Sequence, residues 1–102
     1  MSPIPYNKLI RDKIPEIIER SGKKAVTERL DADKYKKYPD MKLGEELQEY
    51  LQSDNVEELA DLVEVIYAIL EFKGMGLSEF DSLRKNKVEE RGAYLFKSIQ
   101  AV

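Results

Sequence analysis

The chain has 102 residues, the length of one small domain, with a net charge of −3 and no cysteine, histidine or tryptophan. These absences exclude disulfides, thiol nucleophiles, thiolate or imidazole zinc sites and histidine acid–base chemistry. Acid–base or metal chemistry must come from carboxylates, with Lys, Arg and Tyr in support, and the near-balanced charge gives no general reason to bind nucleic acid or an anionic membrane.

Read in chain order, the opening "SPIPYNKLIRDK" is irregular. A short helix then follows Lys13, with Asp12 as its cap, Pro15 in its first turn and Gly22 just past its end. "KAVTERL" is the one strand-like stretch. Asp31 or Asp33 starts a helix through "KYKKY", which Pro39 is expected to interrupt, because its ring and missing N–H oppose a continuous helix. A second helix is expected from about Asp40 to Gln52. "SDN" makes a tight turn with capping residues, and the clearest helix runs from about Val56 to Lys73, stopped by Gly74 and Gly76. Ser78 with Asp81 resembles a capping box opening a helix to about Glu90, and Gly92 ends it. The tail "AYLFKSIQAV" is mixed. The expected architecture is all-α, one domain over residues 1–102, a helical bundle built on a central antiparallel helical hairpin, since short connections favour antiparallel neighbours.

The most apolar stretch, Leu59 to Leu70, carries Asp61 and Glu64 and is too short to span a bilayer. The N-terminus has no apolar leader-like run, so a cytoplasmic address is expected.

Charge is unevenly spread. Residues 41–64 hold eight acids against Lys42 alone, while the rest of the chain holds 12 acids and 16 bases. On helices turning about 100° per residue, Glu46 and Glu49 share one face of the first hairpin helix. Glu58 and Asp61 share a face of the second. Folding about Ser53–Asp54 sets Glu49 opposite Glu58 and Glu46 opposite Asp61, each pair covering about 4.5 Å of axis. Four converging carboxylates cannot all stay ionised without a compensating cation. An all-oxygen site suits Mg²⁺ or Mn²⁺ rather than zinc, and Mg²⁺ held by carboxylates commonly takes substrate phosphates as further ligands. A plainer account also fits. Amphipathic helices carry acids on their outer face, acids near a helix N-terminus favour its dipole, and Lys42 can pair with Glu45 or Glu46. Pattern alone favours that solvated-face account over a metal.

The segments "YNKLIRDKIPEII", "KLGEELQEY", "EELADLVEVIYAIL" and "KVEERGAYLF", in that order, resemble the MazG-like all-α nucleoside triphosphate pyrophosphohydrolases, in particular a branch of small house-cleaning enzymes. "EELQE" followed by "EELAD" reads as that family's E-E-x-x-E and E-x-x-D. The resemblance implies Mg²⁺-dependent (Mn²⁺ possible) hydrolysis of a nucleoside triphosphate to monophosphate and pyrophosphate. It implies Glu46, Glu49, Glu58 and Asp61 as metal ligands, and proteins that form dimers or dimers of dimers. Glu45, the extra acid beside the ligand pair, is a candidate base, with Glu49 or Glu46 as alternatives. Lys87 and Arg91, four apart, match the family's "K…RG" block and are candidates for holding pyrophosphate; Lys8, Arg11 and Lys13 are further phosphate candidates. Each is also readable as a surface cation paired with the acidic segment. Only eight residues separate Glu49 from Glu58, fewer than in many relatives, which leaves base specificity open. Two other readings stand: a phosphoribosyl-ATP pyrophosphohydrolase of histidine biosynthesis, and a non-catalytic helical interaction module.

Overall fold

The computed structural model describes residues 8–31 and 35–102, and among these the regular structure is entirely helical. Helix α1 spans Ile14–Arg20, α2 Lys37–Ser53, α3 Val56–Phe72 and α4 Leu77–Arg91. Asp33, one of the two expected helix starts, lies outside the described residues.

The chain enters α1 through Lys13 at the N-cap position, with no side-chain cap bond; Asp12, the expected cap, does not serve. Gly22, at φ +87°, lets the helix close on itself, and the Lys23 N–H donates to the Ile18 carbonyl at 3.3 Å. Residues 23–30 are irregular, so the expected strand at "KAVTERL" is absent. A single weak stretch has no second strand to pair with here, and an unpaired strand leaves its backbone groups to water.

Pro39 does not break α2. The helix starts at Lys37 and runs through it. Pro39 falls in the first turn, where backbone N–H groups have no intrahelical acceptor, so the missing donor costs nothing there. Its ring is fully buried. The expected start at Asp40 was therefore late. At the other end Asp54 adopts a left-handed conformation (φ +55°) while its N–H reaches the Tyr50 carbonyl at 2.8 Å. Asn55 then caps α3, its Oδ1 accepting from the Glu57 N–H at 2.9 Å.

A two-residue link thus joins α2 and α3, and these helices make the main packing contact of the chain. The seam contains Val65 of α3, with Leu70 buried near that helix's end. Tyr35, ahead of α2, meets Phe72 at a ring-centroid distance of 5.5 Å. Gly74 (φ +76°) turns the chain out of α3, with the Met75 N–H on the Leu70 carbonyl. In α4, Gly76 rather than Ser78 occupies the N-cap position, and no side-chain cap forms. Asp81 is instead drawn to Arg84 and Lys85, at 2.9 and 3.0 Å. Those partners, Lys85 foremost, hold its carboxyl below the usual 3.8. Helix α4 touches α3 but buries none of its own residues. No helix among the described residues is long and apolar enough to cross a membrane.

The molecule is extended for its size. Its radius of gyration is 17.7 Å, against about 13 Å for a compact chain of this length. Val65 and Leu70 are the only buried hydrophobic residues among those described besides the fully buried Pro39.

Candidate metal centre

The seam between α2 and α3 gathers the carboxylates. Glu45, Glu46 and Glu49 of α2 offer oxygens that all lie within 4.8 Å of one another, and so do Glu46 of α2 with Glu58 and Asp61 of α3. The two sets share Glu46. Helical spacing accounts for each set: positions three apart stack on one face, and the tight link brings the faces together.

Glu46 differs from its neighbours in burial. It is 6 % exposed, and its Oε2 has no hydrogen-bond partner among the described residues. Lys42, one turn earlier, reaches its Oε1 at 3.4 Å. Burial, followed by the adjacent Glu49 carboxyl, raises the Glu46 pKa above the usual 4.5. Glu58 is raised as well, by desolvation first and then by Asp61 and Glu46. Like charges are thus crowded into the seam, and proton uptake relieves them when no cation is present.

Cations stand at the rim. Lys8 contacts Glu45 at 3.0 Å, Lys42 contacts Glu45 at 3.4 Å, and Arg11 contacts Asp61 at 2.6 Å. Partial burial pushes the Glu45 carboxyl up, but the hydrogen bond and charge of Lys8, with Lys42, outweigh it and leave the group below its ordinary value. Glu45, which helical geometry turns away from the seam, is therefore tied to two lysines while remaining close to Glu46 and Glu49.

The donor set fits a hard divalent ion. Every candidate ligand is a carboxylate oxygen. Two oxygens on one Mg²⁺ stand at most about 4.2 Å apart. Oxygens that lie within 4.8 Å of one another reach that distance by side-chain rotation alone. Glu46 Oε2 is a buried acceptor with no hydrogen-bond partner among the described residues, and it is the ligand atom such an ion would use.

The expected phosphate-binding residues divide into two groups. Lys8 and Arg11 lie at the carboxylates, bound to Glu45 and Asp61. Lys13 opens α1, and Lys87 and Arg91 lie exposed in the later turns of α4. None of these three makes an ion pair with the seam carboxylates among the described residues. Lys42 belongs to the site by contact. Its i+3 and i+4 spacing to Glu45 and Glu46 was the signal for it, and a pairing role was the only one that spacing suggested.

Compared with protein-family models, curated proteins and solved structures, the chain matches none. The functional reading stands on its own residues.

Proposed function

We propose that this chain is a MazG-like nucleoside triphosphate pyrophosphohydrolase, built on an antiparallel helical hairpin, that cleaves its substrate to a monophosphate and pyrophosphate. The observation that carries this reading is the pair of carboxylate sets sharing Glu46, with one Glu46 oxygen buried and unpartnered. Acidic residues on an exposed helix face need no ligand. A desolvated carboxylate crowded by others does need a cation or a proton.

Glu46, Glu49, Glu58 and Asp61 would hold Mg²⁺ or Mn²⁺. When bound, the ion supplies charge neutralisation and Lewis-acid polarisation of the phosphates. The chain's own residues do the rest. Lys8 and Arg11, already at the rim of the seam, exchange their carboxylate partners for phosphate oxygens as the triphosphate arrives; Arg11 offers a bidentate fork and Lys8 a point charge. The water oxygen bonds to the α-phosphorus, the bond to the α–β bridging oxygen breaks, and pyrophosphate leaves with that oxygen. A seam carboxylate takes the water's proton. Glu45 is adjacent and is not among the residues assigned to the ion, which makes it the candidate, although its two lysines lower its proton affinity. Lys87 and Arg91, sharing a face of α4, are assigned to the departing pyrophosphate.

The test is pyrophosphate release from a panel of standard and modified nucleoside triphosphates together with phosphoribosyl-ATP, in Mg²⁺. Release that stops with chelator and with Glu58→Ala supports the reading. Preference for phosphoribosyl-ATP would move the assignment to the histidine-pathway reaction. No release from any substrate, with no Mg²⁺-dependent rise in melting temperature, would leave a helical interaction module.

A further inference from the structure

The N-terminal segment meets the carboxylates twice, on different helices. Lys8 Nζ donates to Glu45 Oε1 of α2 at 3.0 Å, and Arg11 Nη2 donates to Asp61 Oδ1 of α3 at 2.6 Å. Residues 8–11 form no helix or strand, and Leu9, between the two cations, is half-buried. An irregular arm thus runs from one helix of the pair to the other. Glu45 belongs to one carboxylate set and Asp61 to the other, so each set has one member tied to the arm.

Together the two arm cations carry the charge of one divalent ion. The crowded seam carboxylates, Glu45, Glu46, Glu49, Glu58 and Asp61, have Lys42 as a further paired cation among the described residues. An empty seam gains from the arm's charge, because like charges at this spacing disfavour one another. A seam that holds an ion has less need of it. The two cation sources also conflict in space. An ion about 2.1 Å from the Asp61 oxygen would lie within about 5 Å of the Arg11 nitrogen, where like charges repel. Lys8 and Arg11 are exposed, and pairs of that kind hold weakly enough to be undone.

We infer that residues 8–11 are a removable strap, which closes the empty site in place of a divalent ion and lifts when the ion binds. The inference rests on the proposed metal centre and adds the order of events at it. Ion entry detaches Arg11 from Asp61 and Lys8 from Glu45. Both cations are then unpaired beside the incoming triphosphate, and Glu45 is released to take the water's proton. The ion thereby prepares the phosphate contacts before the phosphates arrive.

The test uses the full chain and Mn²⁺ alone, without nucleotide. In calorimetric titration, Lys8→Gln combined with Arg11→Gln should bind Mn²⁺ at least about fivefold more tightly than wild type. Two exposed pairs keep such an arm shut a few times more often than open, and the shut fraction lowers apparent affinity in proportion. Lys23→Gln combined with Lys97→Gln removes the same charge from residues that pair with no seam carboxylate among those described. That control should change affinity less than about twofold, because distant exposed charge is screened. Limited trypsin digestion reads the arm itself. Mn²⁺ should speed wild-type cleavage after Arg11 at least about threefold relative to cleavage after Lys97, which is exposed in the irregular tail. Arm-variant affinity equal to or weaker than that of wild type overturns the strap. So does unchanged cleavage after Arg11 in the Mn²⁺-saturated chain, or an equal gain in affinity from the control. Absence of Mn²⁺ binding in wild type and arm variant alike removes the metal centre itself, and the strap with it.

Discussion

The two sides of the α2–α3 pair follow different rules. On the acid side each carboxylate position is fixed by a specific neighbour: Glu45 by Lys8 and Lys42, Asp61 by Arg11, and Glu46 by its burial between the helices. On the apolar side, Leu47 and Leu51 of α2 with Leu59 and Val63 of α3, the residues are equally regular in sequence, yet they stay exposed among the described residues. Directional interactions among a few charges can be completed within one short chain. Apolar burial scales with area, and a chain of 102 residues runs short of it. The contrast makes the acid side the place to seek chemistry and the apolar side the place to seek association.

The sharpest way to break this contrast is to remove a ligand and ask which side suffers. Asp61→Asn and Glu58→Ala should each lower pyrophosphate release by at least about a hundredfold, the scale of losing a charge-stabilising group at a phosphoryl transition state. Neither should alter the sedimenting mass. A loss of mass with either variant would tie the two sides together and contradict the division.

A smaller effect separates Glu46 from the rest. Its raised proton affinity means that, in the range above 4.5, the unfolded chain has already lost a proton that the folded chain still holds. Stability without divalent ions should therefore be full below that value and fall as pH rises through the folded-state pKa. Glu46→Gln should flatten this fall and raise metal-free stability near neutral pH by about 1 kcal/mol, or about 5 °C in melting temperature for a chain this size. In Mg²⁺ the order should reverse, because only the wild type gains a ligand. Thermal melts across pH, with and without Mg²⁺, check both statements.

Local backbone devices come next. Asn55→Ala removes the α3 cap and should cost about 1 kcal/mol in denaturant melts, with Mg²⁺ affinity unchanged. The smallest stability effect belongs to Arg11. Its contact with Asp61 is solvent-exposed, so Arg11→Ala should change stability by less than about 1 kcal/mol. The same variant should raise KM for a nucleotide while leaving Mg²⁺ affinity equal or tighter, since Arg11 would compete with the proposed ion for Asp61.

Much of the fold was legible where periodicity was strong. The helix expected from Val56 to Lys73 is found at Val56–Phe72, because its apolar face repeats without a breaker and Asn55 marks its start. Pro39 misled because proline's effect depends on position: it breaks a helix interior and is neutral in a first turn. Ser78 misled because Gly76 starts α4 before it, and Asp81 found Arg84 and Lys85 instead. At the seam, spacing pointed to the four carboxylates meeting in opposing pairs; that two carboxylate sets share Glu46 is visible only in the structure. Which helix packs deeper at that point is a tertiary matter that spacing does not encode. The contacts of Lys8 and Arg11 join residues 37 and 50 positions apart, beyond any local pattern.

The central claim is that Glu46 anchors a hard divalent ion between α2 and α3, and calorimetric titration of the full chain with Mn²⁺ and Mg²⁺ tests it most directly. The account predicts saturable binding that Glu46→Gln abolishes, while the variant keeps its helical content and melting cooperativity. Binding of equal strength in wild type and Glu46→Gln, or no binding to the wild type with nucleotide present, would contradict it.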